Sequence, residues 1–382
     1  MKPRILQPSD VPEVDELLRS CELVAVDTEF HAERRYLPQL FLVQLHVPGH
    51  PPWIVDPLHP TVLDELGPAM LAAPAWVLHA GAQDLRLLQL RLGGLPRRAL
   101  DTQIAAGLVG YRYPASLQDL LKQELGVDVA KAATLSDWSQ RPLAAEQLDY
   151  AGDDVLTLPR LWASLAARAR AAGRYHLVEL ACEEALGLAR HPTPDDALWL
   201  ESSLAEAVPT HDAPVFQELV AWREGVARAQ DRPPHYLISD SVLRQLARSR
   251  PHTRHELEVQ RRLPKAVLGQ WSREILQVIA GAATMDPPEH DLHVQRDTPE
   301  ARLSAWLELL AITVSEQVQC SPRLALPKAM RDRIALARPA TRDAVAAALG
   351  AWRDELLGDL VHRALAGEVA IRLERHDVAV CP

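Results

Sequence analysis

Cysteine is scarce. Cys21, Cys182, Cys320 and Cys381 are the only four in 382 residues, and none forms a Cys-x-x-Cys pair. A zinc ribbon or a disulfide framework is therefore not expected, and a reducing cytoplasm suits the chain. Long apolar runs are missing too. No stretch approaches the roughly 20 residues of a membrane span, so no membrane association is expected. Met1-Lys2-Pro3-Arg4 leads into no apolar signal core, so export is not expected. Positive charge is in deficit, with 41 basic against 51 acidic residues and a net charge of −10. That excludes a protein coated in positive charge for a polyanion. It leaves open a partner held by a local basic surface.

What is present is a soluble-protein composition, 48% hydrophobic and 24% charged, over a length that implies two or three domains. Val11 to Ser20 reads as a short helix with Val14, Leu17 and Leu18 on one face. Leu23 to Val26 reads as a buried strand, and His31 to Arg35 as a polar loop. Phe41 to Val47 and Trp53 to Val55 read as two more strands, joined by the turn Pro48-Gly49-His50-Pro51-Pro52. Three strands with tight turns form an antiparallel meander. The pattern then alternates: a helix from Thr61 to Ala72, a strand from Trp76 to His79, a helix from Ala82 to Leu92. Such alternation needs crossovers and parallel pairing, so a mixed sheet covered by helices is expected. Asp101-Thr102 caps a helix over Gln103 to Val109. Ser116 and Gly126 bracket another over Leu117 to Leu125. One long helix is expected from Ala145 to Ala172. His191 to Asp196 and Asp286 to His290 have linker composition, and helical segments follow each. In the first lie Ala213 to Gln230, Ser241 to Ala247, His255 to Val259 and Lys265 to Gly281. In the second lie Glu300 to Val318 and Thr341 to Ala366.

The chemistry gathers in acidic residues. Val24-Ala25-Val26 runs into Asp27-Thr28-Glu29-Phe30. Residues two apart in a strand share a face, so Asp27 and Glu29 point the same way from the strand's end. Like charges placed together call for a cation between them. Asp84 lies in the first turn of the helix after His79-Ala80-Gly81, where an acidic residue also suits the helix dipole. Tyr150-Ala151-Gly152-Asp153-Asp154 places a tyrosine and an acidic residue on one helical face; spacing alone leaves Asp153 and Asp154 both open. Small Ala151 and Gly152 permit close approach by another group. Four carboxylates and a tyrosine suit two-metal chemistry, in which two ions about 3.5–4 Å apart act on an in-line displacement at phosphorus.

These motifs, in this order and spacing, resemble the three exonuclease motifs of the DEDD superfamily in its tyrosine-bearing subclass, and more closely the ribonuclease D family. Tyr36-Leu37-Pro38-Gln39-Leu40, Val43-Gln44-Leu45, Asp101-Thr102-Gln103 and Asp137 to Leu143 match as well. The resemblance implies an α/β ribonuclease-H-like mixed sheet followed by two all-α HRDC-like domains, divided as 1–205, 206–288 and 289–382. It implies two divalent cations, Mg2+ or Mn2+, ligated by Asp27, Glu29, Asp84 and Asp154, with Tyr150 placing the attacking water. It also implies a 3′→5′ exoribonuclease that releases nucleoside 5′-monophosphates from RNA 3′ ends, precursors of transfer RNA included. The chain is expected to work as a monomer.

Thr28, Phe30, His79 and Tyr150 are the candidate contacts to the terminal nucleotide, Phe30 by stacking. Phe30 reads equally as a core residue, and His79 as a satisfied strand-end histidine. Trp138 and Arg141 read as a packing pair, and Lys131 as a weak phosphate contact. Trp222-Arg223-Glu224 and Arg232 to Asp240 resemble the HRDC domain. Between Arg223 and Lys265 stand ten basic and five acidic residues, a local surplus in an acidic chain; a phosphate-contacting surface needs this. The HRDC glycine-rich turn is replaced by Val259 to Lys265. Leu349 to Leu356 resembles the end of the more divergent second domain. DNA in place of RNA, or a catalytically silent RNA-binding scaffold, are the rival readings. The motifs do not separate RNA from DNA, and the complete carboxylate set speaks against the scaffold.

Overall fold

The computed structural model describes residues 1–31, 34–128, 137–191, 208–287, 294, 297–374 and 377–381. Lys131 and most of the two expected linkers, at 192–196 and 288–290, lie outside these. The first third builds a six-stranded mixed sheet. Its elements, in chain order, are β1 (Arg4–Ile5), α1 (Val11–Ser20), β2 (Val24–His31), β3 (Gln39–His46), β4 (Trp53–Val55), α2 (Pro60–Ala72), β5 (Trp76–Leu78), α3 (Ala82–Leu92) and β6 (Ala99–Asp101). The strand order is β1-β4-β3-β2-β5-β6. β2, β3 and β4 pair antiparallel, whereas β5 and β6 extend the sheet in parallel from β2. The expected meander and crossovers are thus both present. β1 and β6, of two and three residues, are too short to show any alternation in the sequence.

β2 does not stop at Val26. It continues through Asp27, Thr28 and Glu29 to His31, with a bulge between Glu29 and Phe30. The acidic pair therefore sits inside the strand, held in register by β3, and His31 belongs to strand rather than loop. Alternation sorts the side chains to two faces. Val24, Val26, Val43, Leu45 and Leu78 pack with α1, α2 and α3 in one core. Ala25 and Val77 point to the other, where the remaining helices lie.

Those helices are α4 (Thr102–Gly107), α5 (Leu117–Leu125), α6 (Ala145–Leu156), α7 (Leu158–Ala171) and α8 (Tyr175–Arg190). The single long helix expected over 145–172 is two, broken at Thr157. Pro159 has no N–H for the ladder, and its ring would clash with the preceding turn; it sits instead in the opening turn of α7. Asp101 caps α4, and Ser116 and Gly126 bracket α5 as the sequence indicates.

Residues 208–287 form a helical unit with its own core: α9 (Ala213–Ala229), α10 (Pro234–Leu237), α11 (Asp240–Ser249), α12 (Arg254–Glu258) and α13 (Lys265–Ala282). The last segment holds α14 (Pro299–Val314), α15 (Pro322–Ala325), α16 (Lys328–Ala337), α17 (Arg342–Leu349) and α18 (Ala351–Leu365), closed by a hairpin of β7 (Ala370–Glu374) and β8 (Asp377–Cys381). The helix expected over 341–366 is divided at Gly350, whose φ of 76° is in the region that favours glycine.

Among the described residues, the last segment has no separate core. Leu307, Leu310, Leu326 and Trp352 join the apolar cluster of α4, α7 and α8. The seam is polar at its edge: Trp352 Nε1 and Arg353 Nη1 both donate to the Glu184 carboxylate, at 2.6 and 2.7 Å. No described helix is long and apolar enough to cross a membrane.

Candidate active site

Asp27 and Glu29 share the sheet face that carries Ala25. Across the antiparallel pair Asp27 stands opposite Gln44, and Glu29 opposite Leu42. α6 crosses this face, its Ala151 packed with Phe41, Leu42 and Ile54. The same helix delivers Asp154. Carboxylate oxygens of Asp27, Glu29 and Asp154 lie within 4.8 Å of one another. Asp153, which spacing could not exclude, points to solvent. The small residues between Tyr150 and Asp153 admit protein: Ala151 enters the core, and a Cβ on Gly152 would come within 2.8 Å of Pro3.

Asp84 arrives from the opposite side. It is the third residue of α3 and is buried. Thr28, alternating away from Asp27, donates its hydroxyl to Asp84 Oδ1. Asp84 is thus outside the trio but close enough for its charge to act on both Asp27 and Glu29. The turn before α3 is fixed from a distance. Asp101 accepts the backbone N–H groups of Ala80 (3.1 Å) and Gly81 (2.9 Å) while capping α4 through Gln103 N (2.8 Å). Gly81 has no space for a side chain, since a Cβ would fall 2.7 Å from that of Leu78. The cap was legible in Asp101-Thr102; its second task was not.

The cluster is electrostatically uncomfortable without a cation. Burial, then the charges of Asp154 and Asp84, push Glu29 up to about 8. Burial raises Asp84 to about 6 against the opposing hydrogen bond from Thr28. Burial also lifts Asp154 to about 6, opposed by its bond from Tyr150. Asp27 is driven well above the usual carboxylate range, first by burial and then by Asp84, Asp154 and Glu29. Oxygen donors so crowded and so reluctant to ionise fit a hard divalent cation, which supplies the missing positive charge.

Tyr150 hydrogen-bonds Asp154, and burial followed by the neighbouring carboxylates raises its pKa. Its ring lies 6.0 Å from that of buried Trp138. Trp138 therefore backs Tyr150 rather than stacking on Arg141. Arg141 is a clasp: Nε and Nη2 donate to Asp56 at 2.5 and 2.8 Å, and Nη1 to the Trp138 carbonyl at 2.8 Å. Asp56 had no signal in the sequence beyond ending a strand.

The expected nucleotide contacts divide. Phe30 is half-buried and, among the described residues, belongs to none of the apolar cores. Thr28 and His79 are engaged within the protein instead. His79 Nε2 donates to the Ala115 carbonyl at 3.1 Å, and Nδ1 lies 2.9 Å from the Thr102 hydroxyl. Burial lowers the pKa of the His79 ring. With both nitrogens occupied, its ring has no free polar atom for a sugar.

The chain after β2 is held by the helical unit. Asp231, just beyond α9, accepts Tyr36 N at 3.2 Å and pairs with Arg35 at 3.4 Å. Arg228 Nη2 donates to the Tyr36 hydroxyl at 3.2 Å. The basic surplus of this unit is partly consumed internally. Arg223 is buried, bonded to Ile238 O and Asp240, and Arg250 pairs with Asp212. Arg232, Arg248, Arg261, Arg262 and Lys265 remain exposed.

Residues 4–169 match the 3′-5′ exonuclease family model, and residues 212–279 the HRDC domain model. The sheet, its acidic cluster and this match define a 3′→5′ exonuclease. The ribonuclease D of Pseudomonas paraeruginosa is 33% identical over 275 residues, 71% of this chain and 72% of that one. The ribonuclease D of Xanthomonas oryzae is 31% identical over 339 residues, 87% and 90% of the two chains. The crystal structure of Escherichia coli RNase D, described as an exoribonuclease involved in structured RNA processing, aligns with a TM-score of 0.80 at 25% identity. That alignment covers 95% of this chain and 98% of that one. The chain belongs to the ribonuclease D family of 3′→5′ exoribonucleases, with an exonuclease domain, an HRDC domain and a helical C-terminal region.

Proposed function

We propose that this chain trims the 3′ ends of structured RNA, precursors of transfer RNA among them, in the cytoplasm and as a monomer, with two divalent cations, Mg2+ or Mn2+. The observation that carries the reading is the convergence of Asp27, Glu29 and Asp154 within 4.8 Å, with Asp84 adjoining through Thr28. Asp27, Glu29, Asp84 and Asp154 are the proposed ligands. Bound cations supply positive charge to the attacking and leaving oxygens of the phosphodiester.

The side chains supply placement. Tyr150 stays neutral because its raised pKa lies above working pH; its O–H donates to Asp154, and its oxygen accepts from the attacking water and orients it. Trp138 fixes the ring behind it. Phe30, outside the cores, offers a face on which the terminal base stacks. Thr28 acts mainly by holding Asp84, and His79 by tying the end of β5 to the loop at Ala115.

The domain division 1–205, 206–288 and 289–382 is part of this proposal, with the last segment a second HRDC-like unit. Helix lengths support it: 17, 4, 10, 5 and 18 residues from α9 to α13 stand beside 16, 4, 10, 8 and 15 from α14 to α18. The third helix of each ends on a left-handed arginine, Arg250 at φ 41° and Arg338 at φ 43°. Exposed Arg232, Arg248, Arg261, Arg262 and Lys265 are the proposed contacts to the RNA backbone, where each contact weakens with salt.

The test is one digestion series on matched RNA and DNA oligonucleotides with Mg2+, Mn2+ or chelator, products resolved by length. The expected result is stepwise shortening of RNA from the 3′ end with either metal and none with chelator. Preferential degradation of DNA would move the reading to a DNA exonuclease. Cleavage that persists in chelator would remove the metal assignment.

A further inference from the structure

Gln44 is fully buried in the middle of β3, yet neither its Nε2 nor its Oε1 has a hydrogen-bond partner among the described residues. An amide buried without partners weakens a fold, and an apolar side chain of similar size would avoid the penalty. Its neighbours show that such a replacement fits: Leu42 and Ile54, on the same face, are themselves fully buried. Packing therefore does not account for a glutamine here.

Its position does. Gln44 is the cross-strand partner of Asp27. Directly opposed residues of an antiparallel pair share a face, with Cβ atoms about 4.5–5.5 Å apart. Rotation about the glutamine side chain spans that distance. The other carboxylates of the cluster show what is missing. Asp84 takes a hydrogen bond from the Thr28 hydroxyl, and Asp154 one from the Tyr150 hydroxyl. Asp27 is bonded by the backbone at Thr28, and no side-chain donor reaches it among the described residues. Gln44 carries a neutral N–H donor at the one strand position that faces it.

We infer that Gln44 is the positioning residue for Asp27: in the cation-loaded protein its Nε2–H donates to the Asp27 carboxylate, fixing the orientation in which Asp27 ligates. This rests on the metal reading given above. Outer partners of this kind set ligand orientation, and their loss typically weakens metal binding about 10–100-fold.

The experiment compares the full-length protein with Gln44→Met, which keeps length and removes the amide, and with His46→Leu. His46 lies two residues along the same strand, and its Nδ1 is also buried without a partner. It thus controls for core disturbance. Mn2+ affinity is read by calorimetry, cation-free melting temperature by circular dichroism, and kcat and KM on an RNA oligonucleotide. Gln44→Met is expected to melt higher than wild type without cation. It should bind Mn2+ about tenfold more weakly or worse, and lose kcat with KM unchanged. His46→Leu is expected to keep wild-type Mn2+ affinity. Unchanged Mn2+ affinity in folded Gln44→Met overturns the inference, as does equal weakening in His46→Leu. Should Gln44→Met not fold, the wild-type protein decides the matter. With glutamine side chains labelled with 15N, Mg2+ should shift the Gln44 amide resonance, and an unmoved resonance would refute the bond. Failure of wild type to bind Mn2+ would instead strike the metal reading itself.

Discussion

Asp154→Asn is expected to reduce RNA hydrolysis by about a thousandfold or more while leaving RNA affinity within about threefold of wild type; electrostatic contributions of this size follow from removing a group that serves the transition state. The substitution is isosteric and leaves α6 and Trp138 in place. It removes one negative charge from three carboxylates held within 4.8 Å, and with it a ligand for the proposed cations. RNA affinity should survive because the exposed arginines of residues 208–287 lie on a separate unit with its own core. Asp27→Ala should be as damaging. Both variants should melt at or above the wild-type temperature without cation, since each relieves repulsion in the cluster. Turnover is measured on a labelled RNA and affinity by filter binding with Ca2+. Wild-type turnover in either folded variant would remove that residue from the site.

The second large effect is a coupling of stability to pH. Four acidic groups have folded-state pKa values raised above their unfolded ones, with Asp84 and Asp154 near 6, Glu29 near 8 and Asp27 high as well. A raised acid pKa means that the folded state holds its proton longer than the unfolded chain. The associated stability is complete below about pH 4, the unfolded value, and is lost as pH climbs through 6 and 8. The protein stripped of cations should therefore melt progressively lower between pH 5 and pH 9, by on the order of 5–10 °C. Mg2+ neutralises the same charges, so the rise in melting temperature on adding it should be small at pH 5 and large at pH 8. Differential scanning fluorimetry across that range, with and without Mg2+, reads both. A cation-free melting temperature that stays level to pH 9, or a Mg2+ effect largest at pH 5, would contradict the electrostatic picture.

Much of this site was legible where chemistry repeats with the local period. Two-residue spacing put Asp27 and Glu29 on one face, and α6 carries Tyr150 and Asp154 as helical spacing requires. Where two residues satisfied the period, spacing failed. In the sequence only the resemblance chooses Asp154 over Asp153; in the structure the lie of α6 across β2 and β3 brings Asp154 to the cluster and leaves Asp153 exposed. By position alone Asp84 is no different from any acidic residue in a first turn, and only the resemblance singles it out; the structure adds the Thr28 hydroxyl bonded to it across 56 positions. The supports of the site were illegible for the same reason. Asp101 on the Ala80 turn, Asp56 on Arg141 and Gln44 opposite Asp27 are all pairings set by the fold. The break at Thr157 is different, because Pro159 announces it locally. The helical periodicity on either side is strong enough to hide it.

The most direct test of the central claim is anomalous diffraction from crystals of the wild-type protein soaked in Mn2+. The account predicts two manganese peaks between β2, α3 and α6, with carboxylate oxygens of Asp27, Glu29, Asp84 and Asp154 about 2.0–2.6 Å from them. Manganese bound elsewhere, or a site that leaves Asp27 and Asp154 out of its coordination, would contradict it.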